Sequence, residues 1–377
     1  MPVPVAIEKC SDYDKNKVEE ALNECLNALG GIGEYVRPGQ RVFIKINLLM
    51  RKRPEEAVTT HPAVVEAVVG AVQRAGGIPV IGDSPGGMFN ERTLRSIYRT
   101  CGIEQAAKNT GAELNYDVSE TEIPSSDGKI LKRLSIVRAI ADADAIIDIG
   151  KLKTHGMAVF TGAVKNMFGV VPGMRKAEYH LKMPDLNDFA DMLIDINMAV
   201  KPALAIIDGI VGMDGNGPSA GRPRNIGVIV ASASTFAADV AAASIAGIPL
   251  DVIPTVRQAK KRGLPATLDD IKVLGIPVND VKVKDFEMPP RRGVSFLDGK
   301  VPRFMVGFLR NVTMARPVFD HDACKGCGDC ADNCPPRAIK MVDKRPRVDL
   351  NICIRCFCCQ ELCPYKAVDI KKSWIFR

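Results

Sequence analysis

Nine of the twelve cysteines of this 377-residue chain lie between positions 324 and 363, eight of them in two copies of one spacing. Cys324, Cys327, Cys330 and Cys334 precede Pro335, and Cys353, Cys356, Cys359 and Cys363 precede Pro364. Each copy reads Cys-x2-Cys-x2-Cys-x3-Cys-Pro, and the second repeats every cysteine of the first 29 positions later. Three thiolates on a tight loop can hold three irons of one cubane, while a fourth, carried past them on a short helical turn, points away. Proline after that fourth cysteine fixes φ and removes a backbone donor, which ends the turn and sends the chain out as a strand. Ala338 and Ile339 match Ala367 and Val368, so the repeat extends into small and apolar residues that can pack around an inorganic core.

Zinc also takes four thiolates, but usually as two Cys-x2-4-Cys pairs separated by a longer loop. A disulfide framework suits short secreted chains. The spacing therefore points to two 4Fe-4S clusters. It resembles the cysteine run of bacterial two-cluster ferredoxins, and that resemblance implies crossed ligation. One cluster then takes Cys324, Cys327, Cys330 and Cys363; the other takes Cys353, Cys356, Cys359 and Cys334. Cys358, standing where the first copy has Asp329, reads as a spare buried thiol or an alternative ligand.

Length and a hydrophobic content of 46% allow two or three domains with a large core. No stretch is long and apolar enough to span a membrane, and Met1 to Cys10 lacks the pattern of a signal peptide. Unpaired thiols at Cys10, Cys25 and Cys101 together with low-potential clusters suit a reducing compartment, the cytoplasm of an anaerobe. The formal charge is +7, but each oxidised cubane with its four thiolates adds about two negative charges. What survives is a basic tail, with Lys325, Arg337, Lys340, Lys344, Arg345 and Arg347 among its cations. Such a surface suits an acidic redox partner, a ferredoxin or flavodoxin-like carrier, or serves only solubility. Nucleic acid is not expected: aromatic content is 5%, and the basic residues are not interleaved with aromatics.

Ahead of the cysteines the pattern alternates strand and helix. Arg41 to Asn47 is a β-rich run; Val64, Val65, Val68, Val69 and Val72 recur at helical spacing, with Thr60 as cap and Gly76-Gly77 as stop. Ile78 to Ile81 reads as the next buried strand. Ala145 to Ile149, Leu204 to Ile207 and Ile226 to Val230 repeat the theme, the last before an Ala-rich helix from Thr235 to Ala246. We expect an α/β fold, with residues 1–287 forming a mostly parallel sheet with helices on both faces. A Pro-, Gly- and basic-rich connection follows at 288–317, with a short docking helix at Phe304–Leu309. Residues 318–377 complete the chain as a small α+β dicluster ferredoxin-like domain. Ligands of open α/β sheets sit at the carboxyl ends of the strands, so the loops carrying Lys45 and Asn47, Asp83 and Ser84, Lys151 to His155, and Asp208 to Gly221 should converge.

The set Lys45-x-Asn47, Thr60-His61-Pro62, Gly82-Asp83-Ser84-Pro85, Lys151-x-Lys153-Thr154-His155, Thr161-Gly162-Ala163-x-Lys165-Asn166-x-Phe168-Gly169 and Asp208-Gly209 resembles the uncharacterised family called domain of unknown function 362. The match covers most of residues 1 to about 250, and a fused ferredoxin-like tail is frequent in that family. The resemblance implies no reaction. Chemistry suggests an anionic small-molecule ligand, because ammonium groups attract phosphate or carboxylate and glycine lets backbone donors approach. Lys151, Lys153, Lys165 and Asn166 lead the candidates, followed by Lys45, Asn47, His61, Asp83, Ser84, His155 and Asp208. Neither the P-loop nor the Gly-x-Gly-x-x-Gly fingerprint is present, and flavin has no signature here. The expected role is electron transfer through two clusters to or from this ligand or a partner. A non-catalytic carrier or redox sensor, and a non-redox enzyme with structural clusters, stand as alternatives.

Overall fold

The computed structural model describes residues 1–289 and 315–371. The expected docking helix at Phe304–Leu309 lies outside them. The strands are β1 (Val3–Lys9), β2 (Arg41–Lys45), β3 (Ile78–Gly82), β4 (Glu113–Leu114), the hairpin β5 (Glu120–Pro124) and β6 (Arg133–Val137), β7 (Ala145–His155), β8 (Val159–Thr161), β9 (Leu204–Asp214), β10 (Arg222–Ser232) and β11 (Ile271–Gly275). The large sheet runs β11-β1-β10-β9-β7-β2-β3-β4, with β8 attached to β7. Pairs β11/β1, β9/β7, β7/β2, β2/β3 and β3/β4 are parallel; β10 runs antiparallel to β1 and β9, and β8 to β7.

Strand side chains alternate between faces, and here each face has its own core. Ala6, Val42, Ile44, Leu204, Ile206, Ile229 and Ala231 point one way. On that face lie α1 (Lys15–Ala28), α2 (Pro62–Arg74), α3 (Glu91–Thr100) and α4 (Ile103–Thr110), whose apolar residues complete the cluster. The intervening Val5, Ile7, Ala205, Ile207, Val228 and Val230 belong to a second cluster, and Phe43 and Ile146 to a third. After the single turn α5 (Arg138–Ala141), that opposite face is covered by α6 (Ala163–Asn166), α7 (Gly173–Lys182), α8 (Leu186–Val200), α9 (Thr235–Ile245) and α10 (Pro254–Lys261). The sheet is thus a mostly parallel one, sandwiched by helices.

Burial overrides propensity in α2, whose valines are poor helix formers yet are at most 1% exposed. Its cap is His61, whose Nδ1 accepts from Ala63 N at 3.2 Å, and Pro62 takes the first helical position. Thr60, expected to cap, instead donates to Ile149 O at 2.9 Å and accepts from Asn47 N at 2.9 Å, tying the β2 exit to β7.

Two expected loops are strand. β7 continues through Lys151–His155 and β9 through Asp208 to Asp214. Both extensions remain hydrogen-bonded, helped by a register shift between Lys151 and Lys153 and by the long β9–β10 hairpin. The glycines that suggested turns allow close approach instead: a Cβ on Gly212 would sit 2.6 Å from Leu152 O.

In the tail, β12 (Arg316–Phe319) pairs with β15 (Val368–Lys371), and β13 (Ile339–Val342) pairs with β14 (Arg345–Val348), all antiparallel. Helical turns at Asp329–Asp332 and Cys358–Glu361 precede Cys334 and Cys363. No helix among the described residues is long and apolar enough to cross a membrane.

Candidate functional site

The tail encloses two thiol-lined cavities. Cys324, Cys327, Cys330 and Cys363 border the first, together with Phe319, Val368 and Tyr365. Cys334, Cys353, Cys356 and Cys359 border the second, with Ile339, Phe357 and Cys358. Each cavity draws three thiols from one half of the repeat and the fourth from the other half. Four thiolate donors in an apolar shell suit a four-iron cluster. Among the described residues no three of His, Cys, Asp or Glu gather as they would on a single metal ion. Cys358 also borders a further cavity, described next.

The tail is seated on the carboxyl end of the sheet. Lys52 Nζ donates to Pro364 O at 3.2 Å, Gln360 Nε2 to Asn216 O at 3.0 Å, Ser219 Oγ to Gln360 O at 3.3 Å, and Asn216 Nδ2 to Asp369 Oδ1 at 2.9 Å. Between the two parts lies a cavity of about 260 Å³. Its sheet side is formed by Asn47 and Leu48 after β2, by Asp83 to Gly87 after β3, by Lys153 on β7, and by Lys165 and Asn166 on α6. One face of α7 adds Gly173, Lys176, Ala177 and His180, at helical spacing. The tail closes it with Asn333, Cys334, Arg337, Cys358, Glu361 and Leu362.

A polar network holds the sheet side rigid. Lys153 Nζ donates to Asn47 Oδ1 at 2.8 Å and Val58 O at 2.6 Å; Asn47 Nδ2 donates to Asn166 Oδ1 at 2.8 Å; Asn166 Nδ2 donates to Asp148 Oδ1 at 2.7 Å. Burial pushes the Asp148 carboxyl up to about 8, against the pull of Lys45. Lys45 Nζ lies 2.8 Å from Asp83 Oδ1, and Asp83 also accepts from Leu48 N at 2.6 Å and Ser84 N at 2.7 Å. Burial, and then the nearby Lys165, bring the Lys153 ammonium down to about 7. Burial does the same to Lys176, which donates to Ser84 O and lies 5.9 Å from the Phe168 ring centre.

Lys151, Asp208 and His61 do not line this cavity. Lys151 Nζ donates to Asp208 Oδ2 at 2.8 Å and to Tyr13 OH at 2.7 Å, Tyr13 OH donates to Asp208 Oδ1 at 2.9 Å, and His61 stacks on Tyr13 at 3.5 Å. This is a self-satisfied buried cluster. Lys45 lies behind Asp83. His155 lies under the tail: its Nδ1 accepts from Met157 N at 3.0 Å and Ala158 N at 3.2 Å, which leaves the proton on Nε2, 3.5 Å from Glu361 Oε2. Burial holds His155 down at about 4. Burial alone would raise the Glu361 carboxyl, but Lys165 and His155 outweigh it and keep it below the ordinary range.

The profile of the family described as domain of unknown function, DUF362, matches residues 42–244, and that of a 4Fe-4S dicluster domain matches 316–364. The chain belongs to the DUF362 family. Its tail is a 4Fe-4S dicluster domain, which supports an iron-sulfur electron-transfer function. A thylakoid-associated protein of Synechocystis sp. is 32% identical over 291 residues, covering 76% of this chain and 87% of that protein. Among solved structures, the lactate racemase apoprotein from Thermoanaerobacterium thermosaccharolyticum aligns at a TM-score of 0.38 and 15% identity over 62% of this chain, and a Thermotoga maritima protein at 0.32 and 12% over 57%. The chain spans about half the length of those two, 54% and 55%.

Sequence reasoning did not name Thr161, Phe168, Lys176, His180, Arg337 and Glu361 as ligand-site candidates, though all of them line the interdomain cavity. Signals existed for some: Thr161 and Phe168 stand in a motif that carries the family resemblance, and Gly173, Lys176, Ala177 and His180 share one helical stripe of α7.

Proposed function

We propose that the protein exchanges single electrons between a partner protein and a small anionic molecule held in the interdomain cavity. One 4Fe-4S cluster is held by Cys324, Cys327, Cys330 and Cys363, and another by Cys353, Cys356, Cys359 and Cys334. When bound, such clusters supply one-electron storage at low potential. The observation that carries the reading is the place of Cys334, which borders both the second thiol cavity and the interdomain cavity. A cluster held by Cys334 would thus stand beside whatever the cavity holds.

The first thiol cavity faces outward. Cys327 is exposed, Lys325 borders the cavity, and Arg345 Nη1 donates to Cys324 O at 2.8 Å. Lys344 packs against Gly326. These cations frame a docking edge for an acidic carrier of the ferredoxin or flavodoxin kind. The buried, unpaired thiols of Cys10, Cys25 and Cys101 fit a reducing cytoplasm.

Anaerobically reconstituted protein tests this directly. It should contain about eight irons per chain and, once reduced, give the broadened EPR spectrum of two interacting 4Fe-4S centres. Tight zinc binding in place of iron, or centres that no low-potential carrier can reduce, sinks the reading.

A further inference from the structure

Cations reach the interdomain cavity from four separate elements: Lys153 on β7, Lys165 on α6, Lys176 on α7 and Arg337 in the tail. Among the described residues the Lys165 ammonium has no hydrogen bond and no ion pair within 4 Å. Asp83 is held by Lys45 and two backbone donors. Glu361, 3.5 Å from His155, is the carboxylate that Lys165 acts on most strongly, but without a hydrogen bond or a close ion pair. The donors of this half-buried ammonium are therefore left for something anionic to complete. Thr161, on the same wall and 3% exposed, has a hydroxyl without a hydrogen-bond partner among the described residues. Leu48, Phe168 and Leu362 give the remaining wall an apolar character. Polar groups converging on a cavity that also has an apolar wall are the usual form of a small-molecule site.

We propose that the cavity binds a small organic acid with an apolar body, its oxyanion held by the ammonium groups of Lys165 and Lys176 and by the Thr161 hydroxyl. The inference rests on the reading of this cavity as the place where electrons are exchanged, and it names the class of molecule that exchanges them. A carboxylate and a phosphate monoester share the required chemistry: both present oxygens that accept charge-assisted hydrogen bonds.

The test is anaerobic calorimetry on the iron-loaded full chain, with benzoate and phenyl phosphate as probes. At least one should bind, and the tighter of the two identifies the head group. Lys165→Met should weaken that probe at least tenfold, and Thr161→Val about threefold without lowering the thermal midpoint, since the substitution removes an unpartnered hydroxyl. Lys182→Met, on the exposed side of α7, should change nothing. Iron content and the reduced EPR spectrum, recorded on the same samples, decide the electron-transfer reading separately. No binding of either probe overturns the inference, as does equal affinity in Lys165→Met and Thr161→Val. So does a shift of reduction potential in Lys165→Met without loss of any anion affinity, since the lysine would then serve only the cluster's own charge.

Discussion

Gly169 shows how narrowly single positions are set around the cavity. A Cβ there would overlap Asp83 Oδ1 and the Lys45 ammonium, so Gly169→Ala must displace a buried ion pair. Forcing an extra methyl group into so tight a site costs about 1–3 kcal/mol, to be read as a fall in the urea midpoint with iron content unchanged. Lys153 and Lys176 govern the response to pH. Lys176 is faced by Asp83, Lys45, Lys165 and Glu361; Lys153 is faced by Lys165, Glu361, Lys151 and Asp83. With both brought down to about 7 by burial, each is charged below that pH and neutral above it. Benzoate affinity should therefore be full at pH 6 and fall as pH rises past 7, with the bound anion moving the fall somewhat higher. Calorimetry from pH 6 to 9 checks this, and a flat profile would remove Lys176 from the binding account and Lys153 from the charge that supports it.

Elements matter through what they suspend. Asp239, in the middle of α9, accepts from Ala163 N at 2.6 Å and Val164 N at 3.2 Å, so the helix hangs the start of α6 and with it Lys165. Asp239→Ala would leave two buried donors unpaired, costing about 1–3 kcal/mol each. Benzoate affinity should fall along with stability, whereas a loss of stability alone would show that α6 is held by its packing. The Ala-rich pattern of α9 was legible because alanine favours the helix and, with Val240 and Ile245, leaves almost no polar face, which announces a helix buried on most sides. Likewise α2, β2 and β3 were legible from strict periodicity and flanking glycines. The extended parts of β7 and β9 were not, since Asp208-Gly209 and the glycines after it carry turn chemistry that the paired strands override. Nor was the separation of Lys151, Asp208 and His61 from the cavity visible. It depends on Tyr13, which lies 195 positions from its partner Asp208.

At the level of the molecule, the cavity exists only because the tail is seated on the sheet, through contacts such as Lys52 to Pro364, 312 positions apart. No local pattern encodes such a contact, so the sequence disclosed the thiol repeat and the sheet but not that they share a cavity. The crossed thiol sets give the sharpest whole-chain prediction. Cys359 and Cys363 are one helical turn apart, yet they border different thiol cavities. Serine at either position should lower iron from about eight to about four per chain, because each cubane depends on all four thiolates. The two variants should then differ in kind. Cys363→Ser disables the outward set around Cys327, so reduction by an acidic carrier slows sharply while the centre beside the interdomain cavity keeps its EPR signal. Cys359→Ser disables the inner set, so the carrier still reduces the remaining centre at the normal rate, but electrons no longer reach a molecule bound beside Cys334. Identical reduction kinetics in the two variants would mean that the halves of the tail do not exchange their last thiolates, or that the outer edge is not where the partner docks.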